Sequence, residues 1–288
     1  MTSSTRAWLQ MHFCVVLWGF TAILGKTITL DALPLVWMRM VVVTLALLVL
    51  PGFWTGLRRM SGRLMLIYAG IGVFVTAHWI TFYSAIKVAN ASVAATCMAL
   101  TPVFVALIEP VLVKRRFDVR ELFFGVAVVP GVALVVGGTP TGMRTGIAIG
   151  ILAALFGALF SALNKKYVND GDALTVTGLE MVVGAVVLAF ISPHVWPTRH
   201  DAALILILAV GCTLIPYVLS LVALRHLSAF SASLAVNMEP VYAILLAIPL
   251  LGEQRVLGLA FYLGVAIIMI VVFSHRAPFS QRKKVGHP

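Results

Sequence analysis

Ten apolar runs of about 20 residues, separated by short polar joins, fill most of this 288-residue sequence. An α-helix needs about 20 apolar residues to cross the roughly 30 Å hydrocarbon core of a bilayer, so each run has the length of a membrane span. Only 11% of the residues are charged, against about 25% in soluble domains. The sequence therefore predicts an all-α integral membrane protein without a soluble domain. Charged residues, Pro and Gly place the spans at 8–27, 33–51, 64–84, 91–112, 119–138, 146–165, 173–192, 201–222, 229–250 and 256–274.

The basic residues fall mostly into alternate joins, which argues against a nucleic-acid-binding face. If the amino terminus is inside, 15 of the 21 Lys and Arg residues lie on the cytoplasmic side, five lie outside, and Arg39 lies within a span. The positive-inside rule then predicts both termini in the cytoplasm. We expect the first run to be a span and not a cleaved signal, because Lys26 and Asp31 follow it where a small-residue cleavage site would stand.

Other classes of chemistry have no motif in the sequence. Cys14, Cys97 and Cys212 lie singly in apolar runs and lack the paired spacing of a zinc or redox site, so we expect them to be core residues. No phosphate loop is present, which argues against ATP as the energy source. The sequence predicts no metal and no cofactor.

The sequence repeats itself at an offset of 138 residues (223 minus 85). Residues 85–92 resemble 223–230, and residues 101–107 resemble 239–245. At an offset near 141, Arg39 becomes the counterpart of Glu180. Each half has five spans, and an odd number inverts the second half, as in many secondary transporters. We therefore predict a first repeat at 1–140, a second at 141–275, and a basic cytoplasmic tail at 276–288.

A series of short motifs follows the same order as in one known family. The motifs are Trp18-Gly19, Lys26, Arg39, residues 80–87, Thr101-Pro102-Val103-Phe104, Glu109-Pro110, residues 237–242, and Leu251-Gly252-Glu253 followed by Gly258 and Gly264. Over nearly its whole length the chain resembles the EamA family of the drug/metabolite transporter superfamily, of the bacterial metabolite and amino-acid exporter type. The resemblance implies a ten-helix exporter of small metabolites with a central cavity.

One position departs from the pattern of that family. An acidic residue would be expected after the fourth span, where this chain has Lys114-Arg115-Arg116. The loop after the fourth span and the equivalent loop after the ninth span, which holds Glu253, are therefore unlike each other. A symmetric role for Glu253 is not expected on this basis.

Glu239 lies in the middle of an apolar run, next to Asn237 and Pro240. A carboxylate is unfavourable at this depth, so its side chain should face the bundle interior or a water-filled cavity. Glu239 is either a site for a proton, a cation or a substrate ammonium, or a neutral acid that bonds the carbonyl freed by Pro240. The Asn237 amide shares its turn and is a candidate to bind a polar group of the substrate.

Pro102 and Pro240 are equivalent in the two halves. A proline within a helix removes a backbone hydrogen bond and bends the helix. The bend is either a packing feature or a cavity-lining kink, and the freed carbonyls favour the second interpretation. We predict kinks at both prolines.

Three further charged residues have two interpretations each. Arg39 is either a binding site for a substrate carboxylate or a residue that snorkels to the interface or bonds carbonyls at a helix end, and the same choice between function and structure applies to Glu180. Because inverted counterparts lie at opposite depths, these two need not pair. Glu109 lies beside the basic residues at 114–116 and forms either a local ion pair or a gate.

The third span carries aromatic and titratable side chains. His78 is either a proton shuttle or a hydrogen-bonded structural residue. Trp79 and its counterpart Tyr217 either stack on the substrate or pack in the core. Tyr83 is a candidate path residue or a member of the aromatic belt at the interface. Asn164, at the end of the sixth span, is a further candidate cavity residue.

Together with the family resemblance, which implies export of small metabolites such as amino acids or related compounds, these features predict a secondary transporter in a bacterial-type inner (plasma) membrane that works by alternating access. The alternatives are a facilitator without ion coupling and a membrane-integral enzyme or structural subunit. Enzyme activity is not predicted, since no nucleophile and base are identifiable. The expected partners are a small-molecule substrate, protons and the lipid bilayer. Oligomeric state is not indicated by the sequence.

Overall fold

The computed structural model describes residues 3–274, and side chains for all of these except 3, 124, 272 and 273. The predicted tail at 276–288 lies outside the described residues. The α-helices are α1 (Ser3–Thr27), α2 (Ala32–Leu48), α3 (Pro51–Arg59), α4 (Gly62–Val88), α5 (Ala91–Cys97), α6 (Thr101–Val113), α7 (Val119–Ala127), α8 (Val129–Gly137), α9 (Arg144–Tyr167), α10 (Ala173–Ile191), α11 (Arg199–Leu206), α12 (Ile215–Leu224), α13 (Ala229–Val236), α14 (Glu239–Leu251) and α15 (Leu259–Ser274). No strand occurs among the described residues, which confirms the all-helical prediction.

Eight helical segments in the described part of the chain are long and apolar enough to span a membrane, or nine if one bent pair is counted. The bent pair is α2 and α3, which meet at 87°. The predicted span 33–51 therefore ends early, because Pro51 begins α3 in a position where its fixed φ is favourable. The last run is also short, at Leu259–Val271. Length and composition thus do not confirm the predicted count of ten.

Two spans are interrupted at corresponding places. A 3₁₀ turn, Met98–Leu100, separates α5 from α6, and Asn237 and Met238 form a turn between α13 and α14. Pro102 and Pro240 are each the second residue of the following segment. A proline in the first turn loses no hydrogen bond within its own helix. The predicted kinks are therefore helix breaks that precede the prolines.

The most extensive helix packing joins the two halves of the chain. It includes the pairs α4 and α9, α8 and α15, α2 and α10, and α4 and α10. Glycines allow these backbones to approach closely, as is common in membrane helix pairs. A Cβ on Gly264 would lie 2.4 Å from the Gly131 carbonyl oxygen, and one on Gly72 would lie 2.8 Å from that of Glu180. The halves are thus interlocked.

Two lysine contacts mark the two ends of the bundle. Lys87 Nζ donates to the Ile28 carbonyl at 2.5 Å, so α1 and α4 end together. Lys165 Nζ donates to the Leu224 carbonyl at 2.7 Å, so α9 and α12 end together. We call the end that holds Ser3, Lys165 and Leu224 the terminal face, and the end that holds Ile28 and Lys87 the opposite face. The terminal face corresponds to the predicted cytoplasmic side.

Candidate functional site

A cavity of about 130 Å³ lies between the two halves of the bundle. Its lining comes from both halves and extends from mid-bundle to Leu224 near the terminal face. No residue from the joins at the opposite face lines it. Its polar and aromatic lining residues are Trp18, Thr21, Arg39, His78, Trp79, Phe82, Thr101, Phe160, Ser161, Asn164, Tyr217, Ser220, Ser233 and Glu239.

Arg39, on α2, is held by three contacts at the inner end of this cavity. Its Nε donates to Thr213 Oγ1 at 2.6 Å, its Nη1 donates to the Tyr83 hydroxyl at 2.9 Å, and its guanidinium carbon lies 3.8 Å from the centre of the Trp79 ring. Arg39 therefore neither snorkels nor bonds carbonyls at a helix end. Its Nη2 makes no hydrogen bond to a described residue, which leaves that nitrogen for a ligand.

Thr213 reaches Arg39 because the helix between α11 and α12 is locally a π-helix, Ile207–Leu214. The Thr213 hydroxyl also donates to the Leu208 carbonyl, five residues earlier, at 2.6 Å. Such π-helical turns often occur at functional sites. No local sequence pattern indicated Thr213, and its role depends on this change in helical pitch.

Glu239 is the first residue of α14, and its carboxylate lines the cavity with 7% of the residue exposed. A carboxylate is favourable at a helix N-terminus. The side chain makes no hydrogen bond to any described residue, so the alternative in which a neutral Glu239 bonds the carbonyl freed by Pro240 is not observed. Arg39 and Glu239 interact electrostatically, but they form no ion pair within 4.0 Å.

An aromatic wall surrounds the cavity between these charges. Trp79 and Tyr217 meet edge to face with ring centroids 6.2 Å apart, and Phe160 stacks on Tyr217 at 6.3 Å. His78 packs against Phe160 at 5.3 Å, and its Nδ1 bonds the Ala153 carbonyl oxygen at 2.8 Å. His78 is thus a hydrogen-bonded residue that also lines the cavity.

Glu180 does not line the cavity, although it contacts residues that do. It is fully buried on α10, and the Tyr217 hydroxyl donates to its Oε2 at 2.5 Å. Asn164 Nδ2 in turn donates to the Tyr217 hydroxyl at 3.3 Å. Arg39 and Glu180 form no ion pair, in line with the opposite depths expected of inverted counterparts.

Two other predicted path residues also lie outside the lining. Tyr83 is fully buried against Arg39, so its interpretation as a belt residue at the interface is wrong. Asn237 is 1% exposed, and neither polar atom of its amide has a partner in the described structure. The structure thus brings Arg39, His78 and Trp79 together with Asn164, Tyr217 and Glu239, but places Tyr83, Glu180 and Asn237 behind them.

Glu109 and Glu253 form matching contacts between the two halves. Glu109 Oε1 and Oε2 accept from the Ala229 and Phe230 amides, both at 3.0 Å, at the start of α13. Glu253 Oε1 and Oε2 accept from the first two amides of α5, Ala91 and Ser92, also at 3.0 Å. The first amides of a helix have no partner within it, so each carboxylate satisfies two of them.

These contacts correct the expectation that Glu253 has no symmetric counterpart. Glu109 plays the matching part from a position six residues earlier in its repeat (253 minus 138 is 115), where the chain has Arg115. Arg115 Nη2 lies 3.2 Å from Glu109 Oε2 and also pairs with Glu121. Burial lowers the pKa of Arg115, but the hydrogen bonds and charges of Glu121 and Glu109 outweigh it, so the pKa is raised. The predicted ion pair at Glu109 is therefore present, beside a cap that was not foreseen.

Small hydroxyl residues of the lining were not predicted as site residues. Ser220 and Ser233 each donate to a carbonyl three residues earlier, at 2.7 and 2.8 Å. A serine bonded in this way is compatible with any buried helix, so its type alone does not indicate a cavity. Only the convergence of helices from both halves shows which serines face the cavity.

Comparisons with known proteins agree with this architecture. A family model described as the EamA-like transporter family matches residues 6–137 and 144–275, and the two matches start 138 residues apart (144 minus 6). A solved structure described as "Crystal structure of protein" shares the fold, with a TM-score of 0.69 and 17% sequence identity over 94% of this chain and 96% of that chain. A search of curated proteins found no match.

Proposed function

Since this chain belongs to the EamA-like transporter family, a family of membrane transporters, we propose that it exports small metabolites with an amine and a carboxylate, such as amino acids, by alternating access. The observation that carries this proposal is the presence of Arg39 and Glu239 in one cavity between the halves. Substrate sites of inverted-repeat transporters lie at that interface.

The two charges match the two ends of a zwitterion. Arg39 Nη2 is free to donate to a carboxylate, and the other contacts of Arg39 hold its guanidinium in place. The Glu239 carboxylate is an acceptor for an ammonium group. Because Arg39 and Glu239 are not paired with each other within 4.0 Å, a substrate does not have to break a salt bridge to bind.

The remaining lining suits a small apolar side chain. The rings of Trp79, Phe160 and Tyr217 supply apolar and aromatic surface. A volume of about 130 Å³ is similar to the roughly 150 Å³ of cavities that hold a benzene molecule. We therefore expect small or medium-sized amino acids and related amines to fit better than peptides.

The cavity is closed towards the opposite face. At the opposite face Asp201 accepts from the Thr29 amide at 3.0 Å and from its hydroxyl at 2.5 Å, which joins the two halves beyond the cavity. The cavity itself extends towards the terminal face. With that face in the cytoplasm of a cell whose inner membrane holds the protein, this conformation would be open to the cytoplasm, as the loading step of export requires.

A counterflow screen in proteoliposomes tests the proposal. Vesicles loaded with one unlabelled L-amino acid should accumulate the same radiolabelled amino acid, whereas organic cations without a carboxylate and neutral sugars should give weak signals. Arg39→Gln and Glu239→Gln should each reduce the signal, and Glu121→Gln, which lies outside the cavity, is the matched control. If the wild-type protein exchanges only sugars or carboxylate-free cations, the substrate assignment is wrong. If exchange occurs but no ion gradient drives accumulation, the protein is a facilitator.

A further inference from the structure

We propose that Glu180 is the residue at which this transporter binds and releases a coupling proton, with Tyr217 and Asn164 linking it to the substrate cavity. The inference rests on the proposed transport function. It adds the coupling ion and assigns the proton to a residue behind the cavity, so that Glu239 remains free to bind substrate.

Among the described residues, no positively charged side chain is paired with Glu180. Its helix, α10, packs against α2, α3, α4 and α12. The titratable groups that interact with Glu180 are Tyr217 from α12 and Tyr68 from α4. Arg39 from α2 bonds Tyr83 and Thr213 instead, and the two arginines of α3 are exposed. An unpaired carboxylate at this depth is unfavourable, which favours a proton on Glu180 for part of the cycle.

The hydrogen bonds around Glu180 lack one donor. The single Tyr217 proton is donated to Glu180 Oε2, and Asn164 Nδ2 donates to the Tyr217 oxygen. Glu180 Oε1 and Asn164 Oδ1 are both buried acceptors without a partner in the described structure. A proton on Oε1 would supply a donor where these two buried acceptors have none.

A route for this proton leads to the terminal face. A second, small cavity of about 10 Å³ has Asn164, Tyr68, Gly171 and Arg225 among its lining residues. Arg225 is exposed, and its Nη2 donates to the Gly171 carbonyl at 3.0 Å. This volume corresponds to about one water molecule, so this cavity is too small to hold a hydrated metal cation. Glu180 does not line this cavity, and the link between the two runs through Tyr217 and Asn164. On release, the proton passes from Oε1 to water, and the Tyr217 hydroxyl continues to donate to the remaining carboxylate.

The coupling to substrate follows from shared residues. Tyr217 and Asn164 line the substrate cavity. They also form the chain of hydrogen bonds that leads to Glu180, since Asn164 donates to Tyr217 and Tyr217 donates to Glu180. A substrate that draws a hydrogen bond from either side chain changes how strongly Glu180 holds its proton. By linkage, protonation of Glu180 must then change substrate affinity by the same factor.

An infrared titration tests the proton site without any substrate. In protein reconstituted in lipid, we expect a protonated-carboxyl band that disappears at high pH, that is lost in Glu180→Gln, and that remains in Glu239→Gln and Glu121→Gln. A wild-type titration with no component that is specific to Glu180 would overturn the proposal. Because no substrate is present, this result is independent of the proposed transport function.

A transport measurement tests coupling. For the L-amino acid with the strongest counterflow, the wild type should accumulate label under a pH gradient and not under a sodium gradient. In Glu180→Gln the ratio of gradient-driven accumulation to counterflow should fall at least tenfold. If that ratio is unchanged, or if sodium alone drives accumulation, Glu180 is not the coupling site. If no amino acid exchanges at all, the proposed function fails and the infrared result decides the proton site.

Discussion

The Trp79 and Tyr217 rings meet edge to face with centroids 6.2 Å apart, although the two residues lie 138 positions apart in the chain (217 minus 79). They are counterparts in the two halves, so the two repeats contact each other here through equivalent positions. Both rings line the cavity. The candidate site is therefore built around the pair of equivalent positions at which the halves meet, and its charged residues Arg39 and Glu239 are the asymmetric additions.

Replacement of Arg39 by lysine should impair transport strongly. The guanidinium bonds Thr213 and Tyr83 while it stacks on Trp79, and a single ammonium group cannot make all three contacts. Loss of one hydrogen bond to a charged group, about 1.5–3 kcal/mol, predicts roughly a 10- to 100-fold lower kcat/KM in proteoliposomes. Thr213→Ser keeps the hydroxyl and should remain active. Wild-type transport by Arg39→Lys would contradict the assigned role.

The paired caps should contribute to stability at both faces. In Glu109→Gln and Glu253→Gln one acceptor oxygen is lost, so one of the two capped amides loses its partner. We expect each change to lower the free energy of unfolding by about 1–2 kcal/mol in detergent denaturation. Glu121→Gln removes only a partly exposed ion pair with Arg115 and should cost less than about 1 kcal/mol. Equal effects of all three would argue against the caps.

Gly72 should not tolerate a methyl group, whereas Gly70 on the same helix should. A Cβ at Gly72 would lie 2.8 Å from the Glu180 carbonyl oxygen and 2.9 Å from its Cα, and the backbone cannot yield easily. A Cβ at Gly70 would meet nothing within 4 Å. Gly72→Ala should cost about 1–3 kcal/mol of stability, and Gly70→Ala should be neutral or slightly stabilising. Thermal unfolding of the two variants side by side would show the difference.

The Asn237 side chain should lower the stability of the folded protein, whereas the Asn90 side chain should raise it. Both polar atoms of the Asn237 amide are buried without a partner, and its counterpart in the first half is Ala99. Asn237→Ala should therefore leave stability unchanged or raise it by about 1 kcal/mol. Asn90 Oδ1 caps α5 by accepting from the Val93 amide at 2.8 Å, so Asn90→Ala should cost about 0.5–2 kcal/mol. A large loss of stability in Asn237→Ala would reveal an interaction that the structure does not contain.

Cysteine labelling tests both the orientation and the open side. The three native cysteines are at most 4% exposed, so introduced thiols should dominate the reaction. Ser161 lines the cavity, and Thr141 is exposed at the opposite face. A membrane-impermeant maleimide should label Thr141→Cys in intact cells, and Ser161→Cys only in inverted vesicles. The reverse pattern would place the terminal face outside.

The sequence was sufficient to predict the features that depend on local order. That the chain crosses a membrane several times follows from the length and apolarity of its runs, because a helix in lipid must satisfy its backbone internally, whereas the predicted count of ten spans is not confirmed. The repeat follows from an offset of 138 residues that the two family matches share. Neither argument needed helix orientation, and neither could resolve the 87° bend after α2 or the breaks that precede Pro102 and Pro240.

Only the tertiary structure determines which side chains face the cavity and which lie behind it. Arg39 and Glu239 share a cavity because helices from opposite halves converge, while Glu180, Tyr83 and Asn237 lie one layer behind. These differences depend on helix rotation, on the π-helical turn that brings Thr213 to Arg39, and on close packing at glycines such as Gly72. Apolarity along a run determines that a segment crosses the membrane. Which of its polar residues meet is determined by contacts between segments far apart in the chain, and no local pattern records them.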